Sequence, residues 1–133
     1  MSVKAVIDTN VLVSAFLSKN QDSPTVRIAN AIFDERFIPV YSPDMIAEYT
    51  EVLGRDYLKL QTARVYALIR QIQASGEEAH PADSDEPFPD PDAKVFYCTE
   101  IAGDAKLVTG NMKHFPKANF IVTPAQFCEL LGI

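Results

Sequence analysis

The sequence is poor in the residues that build disulfide frameworks and soft-metal sites. It contains two cysteines and two histidines among 133 residues. We interpret Cys98 and Cys128, which lie among apolar residues at helical spacing, as buried thiols of a protein in a reducing cytoplasm. The sequence also shows no P-loop, no G-x-G-x-x-G motif and no nucleophilic Ser-His or Cys-His arrangement. It therefore gives no indication of a nucleotide-binding loop or a covalent nucleophile.

Long apolar runs and an excess of positive charge are also missing. No stretch approaches the roughly 18 uninterrupted apolar residues of a membrane span. Asp8 interrupts the early apolar run, so the N-terminus does not read as a signal peptide. The formal net charge of −6 argues against a passive nucleic-acid binder, which would normally be basic. The negative net charge does not exclude an enzyme that handles phosphates through metal ions, because the carboxylates that hold the metal contribute to that charge.

Strand-like and helix-like segments alternate along the chain, which predicts one domain over residues 1–133 with a parallel sheet covered by helices on both faces. The predicted strands are 3–7, 37–42, a short one near Ala79, 105–109 and 119–123. The predicted helices are 11–18, 24–37, 43–54, 58–74, 93–103 and 124–132. Ser-Pro or Thr-Pro pairs begin three of these helices. Pro39 indicates an edge strand or an irregular position.

An acidic residue falls where the first predicted strand ends. Asp8, Thr9 and Asn10 follow an apolar, β-branched run and precede a helix. Ligands of open α/β sheets bind just beyond the carboxyl ends of the strands, so Asp8 is a candidate site residue. The alternative is that Asp8 only caps the following helix, which aspartate does well.

A second acid, Glu48, lies beside the apolar face of the helix predicted over residues 43–54. Met45, Tyr49 and Val52 flank it on that face. An isolated carboxylate is costly there, and a bound cation or a basic partner would offset the cost. The alternative is a side chain that reaches solvent or pairs with a nearby arginine.

Two further acids, Asp90 and Asp92, precede the helix predicted over residues 93–103, where one can cap the helix while the other points inward. The residues from Thr109 to Asn111 close a strand and should open onto the same crevice as Asp8. Oxygen ligands without a Cys/His cluster select hard cations, which predicts Mg²⁺ or Mn²⁺ and phosphoryl chemistry.

Four segments in this order resemble the PIN domain, and in particular its VapC-like toxins of toxin–antitoxin systems: "VIDTNVLVSAFL", "MIAEYTEVL", "DPD" before "KVFY", and "LVTGNMKHFP". The resemblance runs over nearly the whole chain. It implies a three-layer α/β/α sandwich with a mainly parallel central sheet. The implied activity is a Mg²⁺- or Mn²⁺-dependent endoribonuclease that cleaves RNA phosphodiesters with metal-activated water. The implied partners are RNA and a cognate antitoxin in the cytoplasm, without a membrane, and a homodimer stays open.

The same resemblance assigns the site residues. Asp8, Glu48 and Asp92 match the acids that hold the metal and act in catalysis, and Asp90 is a further metal ligand. The polar residues that support these acids are matched by Thr9, Asn10, Thr109 and Asn111.

Two positions depart from the family pattern. Ala93 stands where many relatives have the last acid, so that only a one-residue shift of the alignment restores Asp92 as the third acid. Asn111 stands where many relatives carry a further Asp, which removes a charge. These departures leave open a catalytically weak module of the same fold that acts mainly through a protein partner.

Three interpretations concern other residues. His114 could touch a phosphate together with Lys113 and Lys117, although a solvated turn is the preferred interpretation. The region after Glu48 is locally basic because it contains Arg55, Lys59, Arg64 and Arg70. These side chains could contact RNA or an acidic partner, although a solvated helix face is the preferred interpretation. A receiver-type phosphoacceptor also has an acid at a strand end, but this sequence lacks the doubled acid after the first strand and the late lysine.

Overall fold

The computed structural model describes residues 3–81 and 91–133, without the side chains of residues 91–93. Its strands are β1 (Lys4–Ile7), β2 (Ile38–Tyr41), β3 (Glu77–Glu78), β4 (Lys106–Val108) and β5 (Ile121–Val122). Its α-helices are α1 (Thr9–Leu17), α2 (Pro24–Phe33), α3 (Pro43–Leu53), α4 (Thr62–Ser75), α5 (Pro91–Gly103) and α6 (Pro124–Leu131). Short 3₁₀ turns cover Asp56–Leu58 and Met112–His114. None of the helices in these ranges is long and apolar enough to cross a membrane.

The five strands form one sheet in the order β3-β2-β1-β4-β5, and every pairing is parallel. The central strand β1 is aligned with β4 so that Ile7 pairs with Val108. The residues after these two strands, Asp8 and Thr109, therefore emerge side by side at the carboxyl edge of the sheet.

Helices cover the sheet as the alternating pattern predicts, which confirms the α/β/α sandwich. Helix α5 lies against β1, β2 and β4, whereas α2 contacts α4 and α6, and α4 packs on β2. The core contains apolar side chains of the strands and of the inner helix faces, including Val6, Ile7, Leu12, Ile32, Tyr49, Leu68, Leu107 and Phe127. Phe37 and Phe127 meet edge to face, with ring centroids 5.0 Å apart.

The three predicted hydroxyl-and-proline helix starts are confirmed. The side chains of Ser23, Ser42 and Thr123 accept hydrogen bonds from backbone amides in the first turns of α2, α3 and α6. Thr123 also forms a reciprocal capping box with Gln126. These local bonds satisfy amides that have no partner within the helix.

Three details of the sequence interpretation need correction. Strand β2 is not at the edge, and Pro39 is tolerated because β3 pairs only with residues beyond it, from Val40 onward. Helix α4 begins at Thr62 instead of Leu58, since Lys59 adopts a left-handed backbone conformation with φ of 54° and ends the preceding 3₁₀ turn. Cys98 and Cys128 are not joined in a disulfide, and only Cys128 is buried, whereas Cys98 is half-buried.

Candidate functional site

The carboxylate of Asp8 lies at the carboxyl end of β1 and is held by hydrogen bonds from two side chains. Its Oδ2 accepts hydrogen bonds from Thr109 Oγ1 at 2.7 Å and from Asn10 Nδ2 at 3.0 Å. The Asp8 backbone amide donates to the Val108 carbonyl at 3.0 Å. Asp8 occupies the position before α1, yet its side chain makes no capping hydrogen bond. The amides of Thr9 and Asn10, at the start of α1, nevertheless lower the pKa of this carboxyl, so the side-chain bonds add to a role at the helix start and do not replace it.

Burial raises the pKa of the Asp8 carboxyl. The Thr109 hydrogen bond, the backbone amides of Thr9 and Asn10 and the charge of His114 all lower that pKa, but burial outweighs them. The charged form of Asp8 is thus held at a cost in free energy. A cation bound beside it would reverse that balance.

The turn after β4 is tied to Asp8 at two places. Thr109 is fully buried, and its Oγ1 accepts a hydrogen bond from the Asn111 amide at 3.0 Å. The side chain of Asn10 bridges the two loops, because its Oδ1 accepts from the Gly110 amide at 3.2 Å while its amide group donates to Asp8. The structure therefore brings together four of the predicted site residues, Asp8, Asn10, Thr109 and Asn111.

Thr9 contributes a buried oxygen next to this cluster. The residue is 6% exposed, and its Oγ1 finds no hydrogen-bond partner within the described ranges. Buried hydroxyls normally have a partner, so a water molecule or a ligand is expected at this oxygen.

Glu48 lies on α3 and is half-buried. The next residue, Tyr49, contacts β1. The hydroxyl of its neighbour Tyr49 donates to the carbonyl of Ile7, the residue that precedes Asp8. Tyr49 is buried, and burial together with the negative charge of Asp8 raises its pKa. This contact fixes the part of α3 that carries Glu48 against the strand that carries Asp8.

A second contact that the sequence interpretation missed joins α3 to α5. The hydroxyl oxygens of Ser42 and Thr99 are both buried and lie 2.9 Å apart, at hydrogen-bond distance. Ser42 was predicted only as a helix cap, and Thr99 lies 57 positions away among apolar residues. The contact holds α5 against the start of α3. Because α5 begins at Pro91, Asp92 belongs to its first turn and does not precede it as the sequence predicted.

The Asp8 carboxylate is a ligand of the type that a hard divalent cation binds. Asp90 and the side chain of Asp92 lie outside the described residues. Within the described ranges, no group of three or more His, Cys, Asp or Glu side chains could hold a metal. The Asp8 carboxylate of raised pKa lies at the edge of the sheet, and the buried hydroxyl of Thr9, the next residue, finds no partner among the described residues. Carboxylate and hydroxyl oxygens are of the type that hard cations bind.

Comparison with known proteins agrees with this geometry. A search of curated proteins finds no match. The family model of the PIN domain matches residues 4–113, which include the residues that surround the Asp8 carboxylate. The match covers well over half of the chain and points to a nuclease-type function. With Asp8 at the end of the central strand of a parallel α/β/α sandwich, the chain belongs to the PIN domain family.

Proposed function

We propose that this chain is a Mg²⁺- or Mn²⁺-dependent endoribonuclease and the toxin of a toxin–antitoxin pair. The observation that carries the proposal is the Asp8 carboxylate, which is aimed by Thr109 and Asn10 and has a raised pKa. A carboxylate arranged in this way suits a cation better than solvent. Membership of the PIN domain family supports the nuclease class.

The proposed roles of the acids follow the resemblance to the PIN domain. Asp8, Glu48 and Asp92 would hold the cation as the catalytic residues, with Asp90 as a further ligand. When bound, the cation would polarise the phosphate and activate water. The supporting residues orient Asp8, because two donors bond to its Oδ2 and keep the carboxylate in one rotamer. Tyr49 would keep Glu48 in register with Asp8 through its bond to Ile7.

Metal binding is tested first by thermal stability. Mn²⁺ should raise the melting temperature of the wild type, because a ligand that binds only the folded state stabilises it. Asp8→Asn should lose this response, since the cation loses a charged ligand. Asp22→Asn is the matched control, because Asp22 is exposed. An equal response of the wild type and Asp8→Asn would contradict the proposed site.

Cleavage is tested on single-stranded RNA. Cleavage should require Mg²⁺ or Mn²⁺ and stop with EDTA. Because loss of an outer-shell partner of a metal typically costs about 10- to 100-fold in activity, loss of the direct ligand in Asp8→Ala should cost more than about 100-fold. A comparison of Asp90→Ala with Asp92→Ala identifies the third acid, since only the variant that lacks it should be inactive. Activity that survives EDTA would refute the metal-dependent mechanism.

A catalytically weak binding module is the second candidate function. It is favoured by Ala93 and Asn111, and by a groove of about 510 Å³ between α3 and α4. The groove has a largely apolar lining that also carries Lys59, Arg70 and Asp56, together with Arg55, which is paired with Glu51. The two cations that form no ion pair within the described residues, Lys59 and Arg70, suit an acidic group of a protein partner. A wild type that is inert with both metals, alongside an active Ala93→Asp variant, would favour this module over the ribonuclease. A small antitoxin gene next to the gene for this chain would favour the toxin role.

A further inference from the structure

A pocket lies at the edge of the sheet opposite to Asp8, where the parallel strands begin. Its volume is about 380 Å³, which is within the range of small-molecule sites. Lys4 and Lys106, the first residues of β1 and β4, line it together with the end of α5. Asp8 and Thr109 follow the last residues of the same two strands, so the pocket is separate from the candidate site.

The carboxyl of Glu100 is the buried polar group of this pocket. Glu100 lines the pocket from the last turn of α5 and is only 5% exposed, and its Oε2 finds no hydrogen-bond partner among the described residues. Buried carboxyl oxygens normally have a partner. Burial also raises the pKa of Glu100 to about 7, so its charged form is held at a cost in free energy. A positive charge in the pocket would offset this cost.

The charges around Glu100 leave an excess of one negative charge in the pocket. Asp104 also lines the pocket and adds a second carboxylate, whereas Lys106 opposes both. Lys4 is engaged by Glu77, with its Nζ 2.7 Å from a carboxylate oxygen. Both acids of the pocket lie at the carboxyl end of α5, where the helix dipole favours a positive charge, and the last turn of α5 contains no basic residue. The pocket therefore suits a ligand with a single positive charge.

The remaining wall of the pocket is apolar. Val3 and Phe120 are half-buried there, and Leu130 is 44% exposed. An inorganic cation would leave this apolar surface in contact with water, whereas an organic cation would cover it with its stem, which is favourable. The carboxylates thus select the charge of the ligand, and the apolar wall selects its stem.

We propose that this pocket, the Glu100 pocket, binds a small organic cation that carries a primary ammonium or guanidinium group on an apolar stem. The charged group donates hydrogen bonds to the carboxylate of Glu100 and is attracted by Asp104. The stem packs on Phe120 and Leu130. The inference does not depend on the proposed ribonuclease function, because the Glu100 pocket and Asp8 lie at opposite edges of the sheet.

Binding is tested on the wild type with pentylammonium as the probe, by nuclear magnetic resonance in EDTA at pH 8, where Glu100 is mostly charged. The probe should shift the backbone amide signals of Ala105 and Lys106, because the Ala105 amide is bonded to the Glu100 carbonyl. Pentanol has the stem without the charge, and the ammonium ion has the charge without the stem. Each should bind at least about 10-fold more weakly than pentylammonium. Equal affinity of either one, or no shift at these amides, would overturn the inference.

Three variants test the carboxylate itself. Glu100→Gln should weaken the binding of pentylammonium about 10- to 100-fold, which is the effect expected for loss of one hydrogen bond to a charged group. Asp104→Asn should weaken it less, because Asp104 is exposed, and asparagine tolerates the left-handed backbone at this position, with φ of 51°. Glu129→Gln is the matched control and should leave the affinity unchanged, because Glu129 is exposed on α6.

The outcome for Glu100→Gln decides between a ligand site and a buried carboxyl without a ligand. A folded Glu100→Gln variant that binds pentylammonium as tightly as the wild type would show that the carboxylate is not the binding group. The amide spectrum shows whether the variant is folded, and if it is not, the comparison of pentylammonium, pentanol and ammonium on the wild type decides.

Discussion

Glu100 is a buried carboxyl that should make the folded protein less stable as the pH rises. It is 5% exposed in α5, and within the described part of the chain its Oε2 has no hydrogen-bond partner. Burial raises its pKa from the ordinary value of 4.5 to about 7. The negative charge of Asp104 acts in the same direction, and the positive charge of Lys106 opposes it.

The sign and size of the effect follow from the two pKa values. Between pH 4.5 and about 7 the folded protein binds this proton more tightly than the unfolded chain does. The stabilisation is complete below the unfolded pKa and is lost as the pH rises through the folded pKa. The difference between 7 and 4.5 corresponds to about 3 kcal/mol in the free energy of unfolding, at about 1.4 kcal/mol for each pKa unit.

Urea unfolding at pH 5 and pH 8 measures this effect. The free energy of unfolding of the wild type should fall between these values by an amount that Glu100→Gln largely removes, because glutamine does not titrate. Glu129→Gln is the matched control, since Glu129 is exposed on α6. If Glu100→Gln keeps the full pH dependence of the wild type, the burial of the Glu100 carboxylate does not cause the loss of stability at high pH.

Two contacts around Asp8 give further predictions. Tyr49→Phe should lower the free energy of unfolding in urea by about 1 to 3 kcal/mol, because the buried Ile7 carbonyl loses its donor. The control is Tyr66→Phe, which should cost less than about 0.5 kcal/mol because Tyr66 is exposed. Equal losses of stability in the two variants would contradict the role of the Tyr49 hydrogen bond. Thr109→Val should raise the pKa of Asp8 in the metal-free protein, measured by carboxyl carbon resonances, because the charged form loses a hydrogen bond, and Thr109→Ser should restore it. An unchanged pKa in Thr109→Val would show that the hydroxyl does not stabilise the charged form.

The parts of the fold that the sequence predicted correctly depend on local chemistry. The helices that begin after Ser23, Ser42 and Thr123 were recognisable because cap and proline are adjacent in sequence. The start of α4 was wrong because the left-handed conformation of Lys59 has no marker in residue type. Lysine rarely adopts this conformation, so only the folded context reveals it.

The candidate site was predictable only in part. The rule for carboxyl ends of strands indicated Asp8 and the Thr109 turn, and both lie at that edge. The hydrogen bond from Tyr49 to Ile7 joins residues that are 42 apart in the sequence. The hydrogen bond between Ser42 and Thr99 joins residues that are 57 apart. They depend on the register of strands and helices, which a single sequence does not contain. The assignments of Glu48, Asp90 and Asp92 stay predictions.

The hydrogen bond between Asp8 and Thr109 joins positions 101 residues apart, and the bond between Asn10 and Gly110 joins positions 100 apart. Because a ribosome makes the chain from the N-terminus, Asp8 is exposed to the cell long before its partners are translated. The carboxylate is first oriented when β4 has been made and inserted beside β1, a late event that closes a long loop. A nascent chain that bears this acid therefore stays without its assembled site at least until β4 has been translated, while it is still attached to a tRNA on the ribosome.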